Sequence, residues 1–336
     1  MNEKEKKCLE ILAVLVITII IACSSPLNPW ISNSMTAVQS EIFSIAHSVR
    51  EGYLAYVETD GHYGPVLYEF YGLGYLPTET HVVHFVMELI IVFVAVLFLY
   101  KTAKLYTSKI FALIATAIIT IFGWGALTTA GAEELMFVIL SLSAYHIARQ
   151  LTSGFLSHHT YLLAIDMGLV FFLQPGYVFA WVIVIVFFAV YFRVKRLEGK
   201  EYRAFYWSTL EGIVTVVIPM GIYLWYFKNA GAFWQQVIVY NMNNLGSLGA
   251  GLGIVCGSLW LICLCILVVV MIIKGLKGEN IVDLCCWLGI TVVYFVVIAL
   301  QGDNLDSFLE LSKVLYIVPL ASLGSILDKP LGLKKD

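Results

Sequence analysis

One polar stretch of this sequence, residues 24–80, contains a group of side chains that could transfer protons. Carboxylates and histidines accept and donate protons in general acid–base catalysis, and an arginine can neutralise an anion. This stretch carries six carboxylates, two histidines and a single arginine: Glu41, Glu51, Glu58, Asp60, Glu69, Glu79, His47, His62 and Arg50. The set suits proton transfer, because several groups able to take a proton lie close together along the chain.

The elements that position these residues are predicted to be membrane helices. Apolar residues make up 60% of the 336-residue chain and charged residues 13%, and the mean hydropathy is +0.87. Soluble domains contain roughly 45–50% apolar and about 25% charged residues. So few charges cannot cover a water-facing surface, which excludes a soluble enzyme, a nucleic-acid binder and a disordered chain. Most cysteines lie in apolar runs without the spacing of disulfides or zinc sites and are interpreted as core residues: Cys256, Cys263, Cys265, Cys285 and Cys286.

Hydrophobic runs predict an all-α, polytopic membrane protein with ten spans. A span needs about 20 mostly apolar residues, and somewhat fewer when its end is buried in protein. The third to sixth runs are short and form two tight hairpins, with turns at residues 124–132 and at Gln174-Pro175, where glycine and proline interrupt helices. The predicted spans are 9–23, 81–100, 109–123, 133–148, 159–174, 176–192, 205–227, 252–273, 281–300 and 309–327.

The basic residues predict the orientation. If the N-terminus lies in the cytoplasm, all of the 20 lysines and arginines except Arg50, Lys228 and Lys313 fall on the cytoplasmic side. Because basic residues are retained there, both termini are expected inside and residues 24–80 outside. The first span has an alternative, since residues 20–23 (Ile-Ile-Ala-Cys) resemble a lipoprotein processing site. The nine further spans favour an uncleaved helix.

An amphipathic helix is predicted over residues 36–50. Val38, Ile42, Ile45 and Val49 recur at helical spacing and form one apolar stripe. Such a helix lies along a membrane surface with its stripe buried and its flanks free. Gln39 and Glu41 fall on opposite flanks, about 160° apart at 100° per residue. Only one of the two can therefore point into a given cavity.

Three motifs in this outer stretch resemble those of a membrane enzyme family. Residues 39–43 (Gln-Ser-Glu-Ile-Phe) are similar to D-S-x-x-F, Gly52 with Tyr56 matches G-x-x-x-Y, and residues 61–68 (Gly-His-Tyr-Gly-Pro-Val-Leu-Tyr) are similar to D-H-K-G-P-L-L-Y. In this order, within a long first outer loop, they resemble the C-type (GT-C) glycosyltransferases. These multi-pass enzymes include protein mannosyltransferases and bacterial lipid A aminoarabinose transferases.

The resemblance continues to about residue 245. A glycine-rich turn at 123–125 leads to Ala132-Glu133-Glu134, a Phe-Leu-x-Pro break stands at 172–175, and Phe233-Trp234 precedes Tyr240-Asn241. Residues 1–250 are thus predicted to form a GT-C-like transmembrane module, with its outer loop at 24–80. Residues 251–336 are predicted to be additional C-terminal transmembrane helices.

The resemblance implies transfer of a sugar from a polyprenyl-phosphate carrier to a glycan, lipid or protein acceptor. The reaction would take place at the outer face of a bacterial plasma membrane, in envelope polysaccharide or glycolipid assembly, with membrane lipid and not nucleic acid as the other partner. Family members use a loop aspartate as catalytic base. Gln39 stands at that position, and an amide cannot take the proton. Glu41, two residues on, is therefore the expected base.

The resemblance also implies further binding residues. Glu133 and Glu134 are expected to bind the acceptor or a divalent cation, Mg²⁺ or Mn²⁺, because hard oxygen ligands suit these ions. Cationic groups are expected at the carrier phosphate, and aromatic rings can stack on a sugar. The substrate-binding set is Arg50, Tyr56, Asp60, His62, Tyr63, Glu133, Glu134 and Trp234.

Simpler alternatives stand beside these assignments. Glu133 and Glu134 are also typical first-turn acids favoured by a helix dipole, and the loop aromatics are typical of an interfacial belt. A second functional hypothesis is a catalytically silent relative that binds lipid-linked sugar or partners an active enzyme, which Gln39 favours. A third is a transporter or flippase for such a lipid. That class is expected to show inverted repeats, which this sequence lacks.

Two acids within the predicted spans are functional candidates, because ionisable groups are costly inside a membrane. Glu88 follows His84 by one helical turn, which predicts a buried pair. Asp166 has no neighbour in sequence that could pair with it.

Overall fold

The computed structural model describes residues 3–31, 35–77, 80–258, 260–302 and 305–328. Within these ranges the chain is helical and has no β-strand, only an isolated bridge between Ala55 and Thr59. The all-α prediction is therefore confirmed for the described residues. Other predicted positions lie outside these ranges, namely the outer-loop acid Glu79 and the cytoplasmic lysines Lys329, Lys334 and Lys335.

The first half of the chain alternates long helices with short ones that lie in the predicted outer loop and turns. Helix ends coincide with glycine and proline: Gly123 follows α5, Gly154 follows α7 with φ +82°, and Pro175 restarts the chain after α8. The helices are α1 (Glu3–Ala22), α2 (Ala37–Arg50), α3 (Pro65–Leu73), α4 (Val82–Lys104), α5 (Lys109–Phe122), α6 (Trp124–Leu127), α7 (Ala132–Ser153), α8 (Ser157–Phe171) and α9 (Val178–Val194).

The second half continues with α10, the longest helix of the described chain, which contains Pro219. A π-helical turn, Trp234–Val239, joins two single-turn helices after α10. The remaining helices are α10 (Gly199–Tyr226), α11 (Ala230–Phe233), α12 (Tyr240–Asn243), α13 (Leu248–Gly257), α14 (Trp260–Leu276), α15 (Val282–Ala299), α16 (Leu305–Ser312) and α17 (Ile317–Asp328).

Several helices are long and apolar enough to cross a membrane. Within the described ranges, six segments meet this condition: Val82–Lys104, Ala132–Ser153, Pro175–Val194, Gly199–Tyr226, Val282–Ala299 and Leu305–Asp328. The pair α13 and α14, bent by 68°, would add a seventh. The predicted number of ten exceeds this count, because α5 and α8 have only 14 and 15 residues and α1 begins with a charged turn.

Polar contacts gather the starts and ends of several helices at one end of the bundle. Glu10 of α1 forms ion pairs with Lys104 and Lys109, each with an N–O distance of 3.0 Å. Asp328, at the end of α17, accepts hydrogen bonds from the Thr107 hydroxyl at 2.8 Å and from the Ser108 amide at 2.9 Å. The end of α4, the start of α5, the end of α17 and the first half of α1 therefore lie together.

The next two helix connections lie together in the same way. Phe155, between α7 and α8, has ring contacts with Phe192 at the end of α9 and with Phe205 near the start of α10. Residues 104–109, 153–157 and 194–199 are named here the basic end, because a lysine or arginine lies within each of them or within four residues of it: Lys104, Lys109, Arg149, Arg193, Lys195 and Arg196. The connections at the opposite ends of these helices, residues 24–80, 123–131, 172–177 and 228–247, are named the loop end.

The helices after residue 250 share one hydrophobic core with the preceding ones. Tyr177, before α9, stacks on Phe308 of α16 with ring centroids 3.2 Å apart. The Gln301 amide donates to the Gly176 carbonyl at 3.1 Å. The buried Trp287 indole donates to the Leu315 carbonyl at 3.1 Å. The C-terminal segment thus closes one side of the bundle.

Candidate functional site

Helix α2 brings the predicted catalytic positions to the loop end. It spans Ala37–Arg50 and therefore matches the helix predicted over residues 36–50. Ile42 and Ile45 are buried as expected. Val38 is 51% exposed, and the part of α2 that packs against the protein includes Gln39 and Phe43. The Gln39 side chain is drawn inward by hydrogen bonds.

Gln39 has a structural role in this arrangement. The Gln39 side-chain oxygen accepts from the Thr36 backbone N–H at 2.7 Å, and the Gln39 backbone N–H donates to the Thr36 hydroxyl at 3.2 Å, which together form a capping box. Its side-chain NH₂ donates to the Thr129 carbonyl, in the connection before α7. The catalytic position inferred from the family pattern is thus occupied by a side chain that begins α2 and ties it to α7.

Glu41 and Glu133 lie near enough to the Tyr63 hydroxyl for their charges to act on it. Glu41 is exposed and Glu133 is partly exposed. Burial raises the pKa of Tyr63 above its usual value, and the negative charges of Glu133 and Glu41 raise it further. Glu133 Oε2 and Ile42 Cδ1 both border the space beside Gly131. The first residues of α7 and the first turns of α2 therefore form one acidic surface around Tyr63.

Glu134 does not face this surface. It is fully buried and accepts a hydrogen bond from the Tyr71 hydroxyl at 3.2 Å. Consecutive helical residues point about 100° apart, so Glu133 and Glu134 have different surroundings. Among the residues that the structure describes, no group of three or more His, Cys, Asp or Glu side chains could hold a metal ion. The predicted Mg²⁺ or Mn²⁺ site at Glu133 and Glu134 does not fit this geometry.

The tyrosine of the Gly-x-x-x-Tyr motif is also structural. Tyr56 is buried, adopts a left-handed conformation with φ +69°, and donates from its hydroxyl to the Tyr63 carbonyl at 2.9 Å. Its role in sugar binding stays a prediction, and in this structure its ring packs in the interior. Tyr68 is likewise buried, and its hydroxyl accepts from the Tyr63 amide at 3.4 Å.

The other predicted binding residues are spread over the loop end. His62 is exposed, and its ring stacks on Tyr240 with centroids 3.8 Å apart. Asp60 and Trp234 are exposed. Arg50 follows Glu41 by nine residues on α2, which is about 13 Å along a helix. It lines a separate cleft of about 400 Å³ with Glu69 and other residues.

Two distant motifs meet through the backbone. The Gly64 amide donates to the Leu173 carbonyl at 2.8 Å, and the Val66 amide donates to the Phe172 carbonyl at 3.2 Å. Gly64 lies so close that a Cβ there would overlap the Phe172 carbonyl oxygen. The Gly-Pro motif of the outer stretch thus caps the Phe-Leu-x-Pro break after α8.

The motif that contains Phe233-Trp234 and Tyr240-Asn241 also binds residues 56–62 of the outer stretch. Gln236 donates to the Tyr56 carbonyl at 2.8 Å and accepts from the Gly61 amide at 3.2 Å. The Asn241 amide donates to the His62 carbonyl at 3.2 Å. Gln236 lies in the π-helical turn and was missed in the sequence analysis, because an amide between two motif positions carries no signal of its own. Residues 52–66, 129–134, 172–175 and 229–241 therefore converge at the loop end.

Comparisons of the chain with family models, with curated proteins and with solved structures found no match.

We expect the Gln236→Ala substitution to loosen the outer stretch. It removes two hydrogen bonds that join residues 56 and 61 to the π-helical turn, and each such bond contributes about 0.5–1.5 kcal/mol. The free energy of unfolding should fall by about 1–3 kcal/mol, measured by thermal or denaturant unfolding in detergent. Gln235→Ala is the matched control, since the Gln235 side chain is exposed. Equal stability of the two variants would contradict the bridging role.

Proposed function

We propose that this chain is a GT-C-like membrane glycosyltransferase. It transfers a sugar from a polyprenyl-phosphate carrier to a glycan, lipid or protein acceptor at the outer face of a bacterial plasma membrane. The observation that supports this best is the convergence of four sequence-distant segments at the loop end. Each carries one of the family-like motifs, and α2 with Glu41 joins them through the hydrogen bond from Gln39 to Thr129.

In the proposed reaction Glu41 is the catalytic base. Its carboxylate is exposed at the loop end and can accept the proton of an acceptor hydroxyl. Tyr63 keeps its own proton, because burial and the two flanking carboxylates raise its pKa, so it can donate a hydrogen bond to the sugar. The exposed groups that could contact the carrier phosphate are His62, Arg50 and Lys228.

The capping role of Gln39 favours the second functional hypothesis, a silent relative that binds lipid-linked sugar. A side chain fixed by Thr36 and Thr129 can act neither as a base nor as a replacement for one. The two hypotheses differ in whether the exposed Glu41 carboxylate takes over the proton transfer.

The direct test is incubation of the purified protein with a panel of radiolabelled polyprenyl-phosphate sugars in lipid vesicles. The enzyme hypothesis predicts release of the carrier phosphate and labelling of an acceptor. The silent-relative hypothesis predicts saturable binding of the carrier lipid without release. If the protein neither binds the carrier lipid nor releases the carrier phosphate, both hypotheses are rejected.

The proposed topology has ten crossings, with both termini in the cytoplasm and the loop end outside. Support comes from the basic end, where Lys104, Lys109 and the flanks of the later connections carry the positive charge. In a version lacking all seven cysteines, single cysteines at Asp60 and Ser247 should react with a membrane-impermeant reagent from outside. A cysteine at Lys200 should react only after the membrane is opened. Labelling of position 200 in intact cells would contradict this arrangement.

A further inference from the structure

A cleft opens at the loop end where α2, α3 and α10 meet. It has a volume of about 400 Å³ and is lined by Arg50, the last residue of α2, and by Tyr223 in the last turn of α10. Leu73, the last residue of α3, also lines it. Clefts that bind small ligands have volumes of about 300–1,000 Å³, so this one can hold a lipid headgroup. It is named here the Arg50 cleft.

The Arg50 cleft contains one positive and one negative side chain. Arg50 is exposed, and among the residues that the structure describes no acid, Glu69 included, forms an ion pair with its guanidinium. Glu69 lies in the same cleft, close enough to the Tyr223 hydroxyl for its charge to act on it. A carboxylate has about four acceptor positions, so this contact leaves room for another donor. The cleft therefore matches a ligand that carries both an anionic and a cationic group.

The end of α10 places the Arg50 cleft at the level of lipid headgroups. Trp225 and Tyr226 are 77% and 71% exposed, and the exposed Lys228 follows them. Tryptophan, tyrosine and lysine at the end of an apolar helix are typical of the interface between membrane and water. Phe227 belongs to this segment and lines the cleft. A headgroup of the surrounding bilayer can therefore enter the cleft from the side.

The rim of the Arg50 cleft is apolar. Leu73 and Leu76 are both more than half exposed, and Phe227 is partly exposed as well. Exposed apolar side chains around two charged groups suit a ligand that has a polar head and hydrocarbon chains. A small zwitterion dissolved in water would gain nothing from this rim. The ligand that fits both features is a zwitterionic phospholipid.

We propose that the Arg50 cleft binds the headgroup of phosphatidylethanolamine. Arg50 donates charge-assisted hydrogen bonds to the lipid phosphate, and Glu69 accepts from the ammonium group. The start of the acyl chains packs on the apolar rim. Phosphatidylcholine has the same two charges, but its methylated nitrogen has no N–H to donate. An anionic lipid such as polyprenyl phosphate places no cation at Glu69.

The proposal goes beyond the glycosyltransferase hypothesis and does not depend on it. Arg50 lies about 13 Å from Glu41 along α2, so a lipid in the cleft does not occupy the proposed reaction site. With Arg50 bound to a bilayer lipid, the carrier phosphate is left to His62 and Lys228.

The test is native mass spectrometry of the purified full chain in detergent with equal amounts of phosphatidylethanolamine and phosphatidylcholine. We expect the retention of phosphatidylethanolamine to be about fivefold higher, since one charged contact at a membrane surface changes an affinity by about that factor. Glu69→Gln should remove this preference, because an amide has no charge for the ammonium group. Arg50→Gln should lower the retention of both lipids, because both present a phosphate.

Glu51→Gln and Lys200→Gln are the matched controls. Glu51 is an exposed acid next to Arg50 in the chain, and Lys200 is an exposed cation at the other end of α10. Both variants should keep the native preference. The native protein supplies a second measurement that needs no variant to fold. Its retention of the lipid should fall stepwise as the ethanolamine nitrogen is methylated once, twice and three times.

Equal retention of the two lipids by the native protein would overturn the proposal. A preference for phosphatidylethanolamine that survives in Glu69→Gln would overturn it too, provided that the thermal unfolding of this variant matches that of the native protein. Polyprenyl phosphate at equal concentration should not displace phosphatidylethanolamine. Displacement that is lost in Arg50→Gln would identify the cleft as the carrier site and would also overturn the proposal.

Discussion

Glu41→Gln should abolish sugar transfer while the protein still inserts into the membrane and binds the carrier lipid. The amide keeps the shape of the side chain and most of its hydrogen-bonding capacity, but it cannot accept the acceptor proton. Loss of general-base catalysis lowers a rate by about 10²–10⁴-fold. The measurement is the rate of carrier release from a radiolabelled polyprenyl-phosphate sugar at saturating acceptor.

Glu51→Gln is the matched control for this experiment, since Glu51 directly follows α2 and is also exposed. It should leave the rate unchanged. Gln39→Asp restores the family residue but shortens the side chain, so the hydrogen bond to Thr129 and the capping box should both weaken. If Glu41→Gln is harmless and Gln39→Asp creates activity where none existed, the native chain is a silent relative.

Gly64→Ala should destabilise the loop end strongly. Gly64 has φ −72° and ψ 163°, a conformation that alanine adopts without strain, so the backbone itself does not oppose the change. The obstacle is the Phe172 carbonyl oxygen, which occupies the position of the added Cβ. Overpacking of this kind costs about 1–3 kcal/mol. We expect the midpoint of thermal unfolding in detergent to fall, and carrier binding to weaken with it.

Gly231→Ala separates this clash from the general effect of replacing a glycine. Gly231 lies in α11, also at the loop end, and an added Cβ there has no neighbour within 4 Å. Alanine stabilises helices relative to glycine, so this variant should be at least as stable as the native protein. Comparable losses in both variants would show that the contact between Gly64 and Phe172 is not the cause.

Features with local signals could be predicted from the sequence. Helix ends at Gly123 and at Gln174-Pro175 follow from residues that break helices wherever they occur. Helix α2 follows from apolar spacing, and the capping box is also present in the sequence as Thr36-x-x-Gln39. Gln39 thus has a local role that its sequence position indicates, the capping of α2, besides its place in the family-like motif.

Features that depend on contacts between helices could not be predicted. The expected pair of His84 and Glu88 is wrong, since His84 Nε2 instead lies 2.8 Å from the Tyr71 carbonyl oxygen. Asp166, which has no partner in sequence, accepts from the Ser143 hydroxyl at 2.7 Å on a neighbouring helix. Such partners are set by how helices pack, and a periodic pattern within one helix contains no information about them.

The same limit applies to the candidate site. The family-like motifs lie at residues 39–68, 123–134, 172–175 and 233–241, and hydrogen bonds join these segments at the loop end. The sequence does not show which side chains of this stretch face solvent, because Tyr56 and Tyr63 are the same residue type in the same loop. Only the fold shows that Tyr56 is buried and that Tyr63 lies beside Glu41 and Glu133.

The hydrogen bonds from Gly64 and Val66 to the carbonyls after α8 set an order of assembly. The ribosome releases residues 61–66 long before it releases Phe172 and Leu173, so these amides have no native partner while α4 to α7 are being made. These two hydrogen bonds can therefore form only after α8 and the residues that follow it have been made. The loop end therefore begins to be made early in synthesis but is completed late. A truncated chain that stops before residue 172 lacks both of these hydrogen bonds.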